Sequence, residues 1–203
     1  APEMAIEPAM AVERIKSMPA YGELFKKAFP KENGAITFDN IAKAIAAFER
    51  KLVTPSRFDE FMNGKASALN ATEKEGLKIF IDKGCASCHN GMGIGGTAMQ
   101  KFPLMGQFKH AALGDFKGDK DGNVKVPTLR NIAETAPYFH NGSVWSLSEA
   151  VEIMGETQLG TKLTADETSK LVAFLNSLTG KKQKVIYPIL PASTDKTPKP
   201  DAN

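Results

Sequence analysis

The feature that most constrains this chain is the short run "CASCH" at residues 85–89. It holds both cysteines of the sequence, Cys85 and Cys88, and one of its three histidines, His89. The C-x-x-C-H pattern is typical of covalent haem c attachment, in which two thiols bond the porphyrin vinyl groups and the adjacent histidine ligates the iron. The pattern therefore predicts one haem c, attached through the two cysteines and ligated by His89.

Three other uses of paired cysteines each need a feature that this sequence lacks. A structural zinc site needs four ligands, and the other two histidines, His110 and His140, lie thirty positions apart. A thioredoxin-like redox pair follows a strand, whereas the residues before Cys85 have helical periodicity. A disulfide between these cysteines would close a short loop and stabilise little. Haem attachment is the interpretation that requires no residue or secondary structure beyond those that the sequence contains.

Helical spacing of apolar residues along most of the chain predicts a mainly α fold. The expected N-caps are Thr37 or Asp39, Asn70 or Thr72, Ser146 or Ser148, and Thr164. Pro19 is expected to separate two short helices. Pro55 is expected to end the helix that begins after Thr37, and Gly180 is expected to end the last helix. The helix after Thr37 carries an apolar stripe that the first seventy residues do not by themselves cover.

Two stretches show no helical pattern. Residues 90–123 are rich in glycine and methionine without a sustained period, which indicates a long folded loop around a bound group. The tail after residue 180 is proline-rich and is expected to be extended and laid on a surface. The chain starts without methionine and runs directly into helical periodicity, so we treat residue 1 as an internal position.

Charge and hydropathy exclude several classes of partner. Lysine and arginine total 26 against 23 aspartate and glutamate, with no long run of like charge. Neither nucleic acid nor an anionic membrane is therefore expected as a partner. No apolar run approaches the roughly 20 residues that span a bilayer, and the first residues lack the pattern of an export signal.

A haem iron bound by His89 needs a second axial ligand, and spacing only narrows the choice. The candidates are Met92, Met99, Met105, Met154, His110 and His140. Met92 follows His89 too closely to reach the other face of the ring. Met154 lies near the end of a predicted helix, well downstream of the motif, although a core-filling role fits it equally well. His110 is expected in a surface loop.

Longer segments of the sequence resemble those of a known family. They are "FDNIAKAIAAFERKLVTPSRFDEF", "GLKIFIDKGCASCHNG", "PTLRNIAETAPYFHNGSVWSLSEAVEIMGETQLG" and "VIYPILP", and they resemble bacterial dihaem cytochrome c peroxidases. The resemblance covers nearly all of the chain outside residues 93–125. It implies a class I cytochrome c-like haem domain at residues 69–180, preceded at 1–68 by helices that complete a second cytochrome c-like domain. Residues 181–203 would form a C-terminal tail. In cytochromes c the first and last helices cross closely with a glycine opposite an aromatic residue, so the resemblance implies that Gly76 lies opposite Phe174.

The resemblance also implies roles for residues of the haem site. Cys85, Cys88 and His89 match the family's high-potential haem, the one nearer the C-terminus. Met154 falls in the E-x-M-G segment that supplies the methionine ligand; relatives that oxidise a protein cofactor have tyrosine there, so methionine favours peroxidase. His140 is at a family-typical position, where it contacts a haem propionate or is a structural histidine.

Two further sites are implied by the resemblance alone. Glu3, in "PEM", matches the segment that supplies an active-site glutamate, an acid/base in peroxide cleavage. A calcium ion at the domain interface would be bound partly by the backbone carbonyls of Thr135 and Pro137. The run "DKDGN" at residues 119–123 imitates part of an EF-hand but lacks its last glutamate, so no calcium is expected there.

The implied activity is that of a cytochrome c peroxidase, which reduces hydrogen peroxide to water. Electrons would come from a small cytochrome c or cupredoxin, in the periplasm, and we expect a homodimer. This chain would carry the electron-entry haem, one of two in the full enzyme, because the sequence holds a single C-x-x-C-H. The alternative is a mono-haem electron-transfer protein without peroxidase activity. A second motif encoded upstream of Ala1 would separate the two.

Overall fold

A computed structural model describes residues 6–113 and 118–199. The chain forms two compact units: the first unit is Ala1–Val53 with Gln183–Asn203, and the second unit is Thr54–Lys182. The described residues form seven α-helices and one two-stranded sheet, which confirms the mainly α prediction. Compactness and family resemblance are different criteria, so the domain boundaries at residues 68 and 180 stay a prediction.

The first unit contains three helices, each begun by a local signal. They are α1 (Pro8–Lys16), α2 (Pro19–Ala28) and α3 (Phe38–Glu49). Pro19 is the first residue of α2, as expected, because proline is tolerated where the helix needs no amide donor. Thr37 caps α3 by accepting a hydrogen bond from the Asn40 amide at 3.1 Å. The side chain of Asn40 is fully buried and donates to the Glu32 carboxylate and the Ala35 carbonyl.

The apolar stripe of α3 is exposed to solvent. Ile45, Phe48 and Leu52 are 55%, 52% and 46% exposed. The helix ends before the expected stop at Pro55, because the amides of Lys51 and Leu52 bond three residues back and tighten the last turn. About half of the surface of each of these side chains is therefore exposed, in keeping with the expectation that the first seventy residues do not by themselves cover the stripe.

The tail from residue 183 to 199 has no helix or strand. It is bound to the end of α1, where the Ser17 hydroxyl donates to Thr197 Oγ1 at 2.8 Å and the Thr194 hydroxyl donates to the Ser17 carbonyl at 3.0 Å. Its large apolar side chains are exposed, namely Ile186, Tyr187, Ile189 and Leu190. The tail therefore lacks helix, as its proline content predicts, and it is held to α1 through polar groups while its large apolar side chains are exposed.

The second unit contains the other four helices and the sheet. The elements are α4 (Arg57–Met62), α5 (Ala71–Asp82), β1 (Met99–Lys101), β2 (Asn123–Lys125), α6 (Leu147–Leu159) and α7 (Ala165–Ser177). The strands are antiparallel, with Gln100 opposite Val124. Asn70 and Thr164 cap α5 and α7 in capping boxes, and Ser146 caps α6. The prediction of Thr164 is confirmed, and for α5 and α6 the cap is the first of the two candidates that the sequence offered.

Helices α5 and α7 cross at a point where no side chain intervenes. A Cβ atom on Gly76 would collide with the Lys170 carbonyl and lie 2.9 Å from the Cβ of Phe174. Phe174 is 1% exposed and packs against Phe80, with the ring centroids 5.2 Å apart and the ring planes tilted by 55°. Gly76 and Phe174 were expected to be opposed in this way. Their contact joins the helix that leads to the cysteines to the buried core of the unit.

Gly180 does not end α7, which stops at Ser177. A Cβ at Gly180 would instead collide with the carbonyl of Thr54, close to an antiparallel bridge between Gly180 and Ser56. Asn131 holds both segments, because its amide nitrogen donates to Thr54 Oγ1 at 2.8 Å and its oxygen accepts from the Gly180 amide at 2.9 Å. The glycine is required by a tertiary contact and not by the helix end.

Candidate haem site

The C-x-x-C-H motif lies directly after the end of α5. Gly84 has a φ of 89°, a left-handed conformation that suits glycine, and it leads into a 3-10 turn over Cys85–Ser87. The His89 amide then donates to the Cys85 carbonyl at 3.0 Å, which keeps the motif compact. Cys85 and Cys88 are both free thiols and both partly buried. Two thiols are thus available beside the histidine.

The environment of Cys85 differs from that of a redox-active cysteine. Its side chain packs against the core cluster built from Phe80 and Phe174. Burial raises the pKa of the Cys85 thiol, so the thiolate is disfavoured. Redox cysteines depend on a lowered pKa. The environment therefore agrees with the rejection of a thioredoxin-like pair and suits a thiol that is consumed by covalent attachment.

The imidazole of His89 has the state that a metal ligand needs. The residue is 9% exposed, and its Nδ1 lies 3.2 Å from the carbonyl oxygen of Pro127. A carbonyl can only accept, so this hydrogen bond assigns the proton to Nδ1 and leaves the lone pair of Nε2 for a ligand. Burial also lowers the pKa of His89, which keeps the ring neutral at pH 7. The chemistry of this donor set fits haem c.

The loop after His89 lies against residues 126–130. The Gly96 amide donates to the Val126 carbonyl at 2.8 Å, and the Thr128 hydroxyl donates to the Gly93 carbonyl at 2.5 Å. Gly95 has a φ of 117°, and a Cβ there would collide with the Pro127 carbonyl and lie 3.2 Å from His89 Nδ1. The absence of a side chain at Gly95 therefore allows the Pro127 carbonyl to reach the histidine.

Met154 differs in burial from the other methionine candidates for the second axial ligand. Met92, Met99 and Met105 are 86%, 57% and 65% exposed, whereas Met154 is partly buried. Helical periodicity places Met154 on the face of α6 that carries Leu147 and Val151, and both of these pack on the cluster that Cys85 also contacts. The face that carries Met154 is thus directed toward the core that adjoins the motif.

The other two histidines lie by a group of phenylalanines. The ring centroid of His140 is 5.9 Å from Phe108 and 6.2 Å from Phe102. His110 is only partly exposed, its ring centroid lies 5.6 Å from Phe108, and its buried Nε2 has no hydrogen-bond partner among the described residues. His110 thus lies in a loop with part of its surface exposed, and the aromatic group draws one side of its ring inward.

The implied calcium ligands lie in an exposed turn. Neither the Thr135 nor the Pro137 carbonyl accepts a hydrogen bond from a described residue, so both oxygens are available to a cation. Among the described residues there is no group of three or more His, Cys, Asp or Glu side chains that could hold a metal ion. The carboxylate of Asp119 accepts from the amides of Asp121 and Asn123, at 2.9 and 2.8 Å. It therefore stabilises its own turn.

Two expectations concern other parts of the chain. Glu3, the expected acid/base, lies outside the described residues. Over the described ranges, no helix combines the length and the apolar character needed to cross a bilayer.

Sequence reasoning missed the residues that orient the histidine. Pro127 lies 38 positions after His89 and contributes a backbone oxygen, which leaves no side-chain signal. Gly95 belongs to a glycine-rich run, which is a recognisable signal of close backbone approach, but the run does not say what approaches. Arg130, which binds both Asp59 and the Met92 carbonyl, was also missed.

Comparison with known proteins agrees with this geometry. The family model for di-haem cytochrome c peroxidase matches residues 1–67, and the model for cytochrome c matches residues 73–179. A cytochrome c551 peroxidase of Pseudomonas aeruginosa is 47% identical over 98% of this chain, and one of Nitrosomonas europaea is 46% identical over 97%. The chain spans 60% of the length of each of these relatives.

Two proteins of lower sequence identity also match most of this chain. The cytochrome c peroxidase Ccp of Escherichia coli is 36% identical over 83% of this chain and 38% of its own length. A solved structure, a MauG-like protein associated with microbial copper homeostasis, matches with a TM-score of 0.67 and 27% identity over 86% of this chain and 62% of that one. The chain therefore belongs to the di-haem cytochrome c peroxidase family, and its cytochrome c domain at residues 73–179 implies haem c as a cofactor.

Proposed function

We propose that this chain carries the electron-entry haem of a cytochrome c peroxidase, which converts hydrogen peroxide, two electrons and two protons into two molecules of water. The observation that carries the proposal is the placement of His89, a buried imidazole whose Nδ1 is held by a carbonyl, next to two free thiols. The cytochrome c551 peroxidases that align with almost the whole chain support the reaction.

Each residue of the motif has a separate role in this proposal. Cys85 and Cys88 would attach the haem through thioether bonds, and the Nε2 of His89 would bind the iron. Met154 would be the second residue to bind the iron. Haem c would supply a centre that accepts and releases one electron at a time. With both His89 and Met154 holding the iron, the site would relay electrons and would not bind peroxide.

Peroxide would react at a second haem that these residues do not provide. We propose one haem in this chain and two in the full enzyme, with Glu3 as the acid/base in peroxide cleavage. The greater length of the relatives and the half-exposed apolar stripe of α3 support a larger N-terminal domain. Calcium bound by the Thr135 and Pro137 carbonyls, a periplasmic location, a small cytochrome or cupredoxin as donor, and a homodimer complete the proposal.

The second candidate function is a mono-haem electron-transfer protein without peroxidase activity. The observation that favours it is the single C-x-x-C-H in the sequence. The two candidates share the site at Cys85 and differ in whether a peroxidatic haem is also present. Sequencing the gene upstream of Ala1 separates them: a second C-x-x-C-H supports the peroxidase, and a start codon without one contradicts it.

The electron-entry role is tested on the 203-residue chain produced with a haem c maturation system. Intact mass should show one covalent haem per chain. The ferrous protein should be oxidised slowly by hydrogen peroxide, because both axial positions are occupied, whereas Met154→Ala should react faster with peroxide because one position opens. Fast, saturable oxidation of the unsubstituted protein would contradict the proposed role and show that the site binds peroxide directly.

A further inference from the structure

Arg130 joins the loop that follows His89 to helix α4. Its Nη1 and Nη2 donate to the two carboxylate oxygens of Asp59 at 2.8 and 2.6 Å. Its Nε donates to the backbone carbonyl of Met92 at 2.5 Å. One planar guanidinium therefore uses two of its donors on a side chain of α4 and a third on the backbone of the loop.

Asp59 is a fixed anchor for this arginine. Its Oδ2 also accepts from the Ser56 amide at 2.7 Å and the Ser56 hydroxyl at 2.8 Å, which places it in the capping box of α4. The side chains of Arg130 and Asp59 are only 24% and 29% exposed. Asp59 is also held by Ser56, and Arg130 is also held by the Met92 carbonyl. Because both side chains are already restrained, forming the bidentate pair costs little side-chain entropy, and its geometry is well defined.

The loop that Arg130 holds is the one that orients His89. Met92 is three residues after the histidine, and the next residue, Gly93, accepts from the Thr128 hydroxyl at 2.5 Å. Pro127, beside Thr128, gives the carbonyl that accepts from His89 Nδ1. Arg130 and Pro127 belong to one short segment, so this segment holds the loop at Met92 and Gly93 and holds the histidine ring at Nδ1.

We propose that Arg130 is a positioning residue for the iron ligand His89, and that it acts by anchoring the Met92 loop to Asp59 on α4. The inference rests on the proposed haem at this site. When the anchor is weakened, the loop moves relative to residues 126–130 and the hydrogen bond from Nδ1 to the Pro127 carbonyl loosens. A weaker bond at Nδ1 makes the imidazole a poorer donor to iron, which disfavours the ferric state and raises the reduction potential.

The chain offers a matched control in Arg57. This arginine also binds one carboxylate through two nitrogens, that of Glu73, and donates to a backbone carbonyl, that of Ala68 at 3.1 Å. Its partners lie around the start of α5, whereas the cysteine motif lies beyond the end of that helix. Arg57 therefore matches Arg130 in chemistry and differs in the backbone segment that it holds.

The experiment compares Arg130→Lys with Arg57→Lys in the haem-loaded chain. Lysine keeps the charge but cannot bond two carboxylate oxygens and a carbonyl from one plane. Both variants should lose stability. Arg130→Lys alone should raise the reduction potential and should speed hydrogen exchange at the amides of Gly95 and Gly96 by about tenfold or more. Asp59→Asn should also raise the reduction potential and speed this hydrogen exchange. It replaces Arg130→Lys as the test variant if Arg130→Lys does not fold.

The outcomes separate this inference from the proposed function. An unchanged potential and unchanged loop exchange in Arg130→Lys, or equal shifts in Arg57→Lys, would overturn the positioning role. His89→Ala tests the site itself: if it leaves the haem spectrum unchanged, the proposed ligand is wrong. If His89→Ala changes the spectrum while Arg130→Lys changes nothing, only the inference about Arg130 fails.

Discussion

The two compact units of the chain differ in how far each buries its own apolar side chains. In the second unit, Phe174, Leu171 and Leu178 are at most 2% exposed. In the described part of the first unit, Phe25 and Asn40 are the buried residues, and most large apolar side chains of α3 are exposed. The second unit therefore has a hydrophobic core of its own, whereas the described helices of the first unit leave most of their apolar faces exposed.

The difference shows that helix formation and core formation are separate problems. In the first unit, α1 and α2 begin at the prolines Pro8 and Pro19, and the side chain of Thr37 caps the start of α3. Their boundaries do not depend on whether the apolar face is covered. The difference in burial should be measurable, and the following substitutions test it from the largest expected effect to the smallest.

The largest effect is expected from removing a phenylalanine of the second unit. Phe174→Ala should lower the free energy of unfolding by about 3–5 kcal/mol, because the ring is fully buried and leaves a cavity. Phe48→Ala, in the first unit, should change it by less than about 0.5 kcal/mol, because Phe48 is half exposed. Urea unfolding followed by circular dichroism measures both. Equal costs would show that the first unit has a core that the structure does not reveal.

A pair of helical glycines should respond in opposite directions. Gly76→Ala should destabilise by about 3 kcal/mol, because the new methyl group meets the Lys170 carbonyl and the helices α5 and α7 must separate. Gly22→Ala, in α2, should stabilise by about 0.5–1 kcal/mol, because nothing lies within 4 Å of the added Cβ. Thermal unfolding measures both signs. A tolerated Gly76→Ala would mean that the two helices are less closely packed than described.

These glycines also show what the sequence could reveal. Gly76 opposite Phe174 was predicted, because it repeats a contact known from the cytochromes c that the chain resembles. Gly180 was predicted as a helix stop, and this was wrong, because the need for glycine there comes from Thr54, far away in the sequence. Local requirements can be seen in a single sequence, whereas requirements set by a distant backbone atom cannot.

The same distinction applies to the haem site. Cys85, Cys88 and His89 were identified because their chemistry needs them at fixed local spacing. The Pro127 carbonyl and the Arg130–Asp59 pair act over 38 and 71 positions, so no local pattern marked them. Met154 lies between these cases, since spacing left it among several candidates and only the resemblance selected it.

A ligand substitution tests whether the second unit alone carries the redox centre. Met154→His should lower the haem potential by on the order of 100 mV, about 2.3 kcal/mol, because imidazole stabilises ferric iron better than a thioether does. Met10→His, on α1 of the first unit, should leave the potential unchanged. Potentiometric titration of the haem-loaded chain measures both. An unchanged potential in Met154→His would show that another residue ligates the iron.

The smallest effect is expected on the free energy of unfolding at acid pH. A carboxylate of the second unit should contribute to its pH dependence, and one of the first unit should not. Arg130 holds the pKa of Asp59 well below its usual range, mainly through its hydrogen bonds and despite the partial burial of the carboxyl group. A lowered pKa in the folded state adds stability that is fully present above the ordinary aspartate pKa of about 3.9. That contribution is lost as the pH falls from there toward the lower value of the folded state.

Asp59→Asn should therefore cost about 1–3 kcal/mol at pH 7 and flatten the fall of stability below pH 4. Glu23 gives the comparison from the first unit, because its carboxylate also has a lowered pKa through Lys26 but is fully exposed to solvent. Glu23→Gln should leave the acid limb of the stability curve as it is, since an exposed pair is screened by solvent. Urea unfolding between pH 2.5 and 7 would measure both, and parallel curves for the unsubstituted chain and Asp59→Asn would show that the Asp59 pair adds no pH-dependent stability.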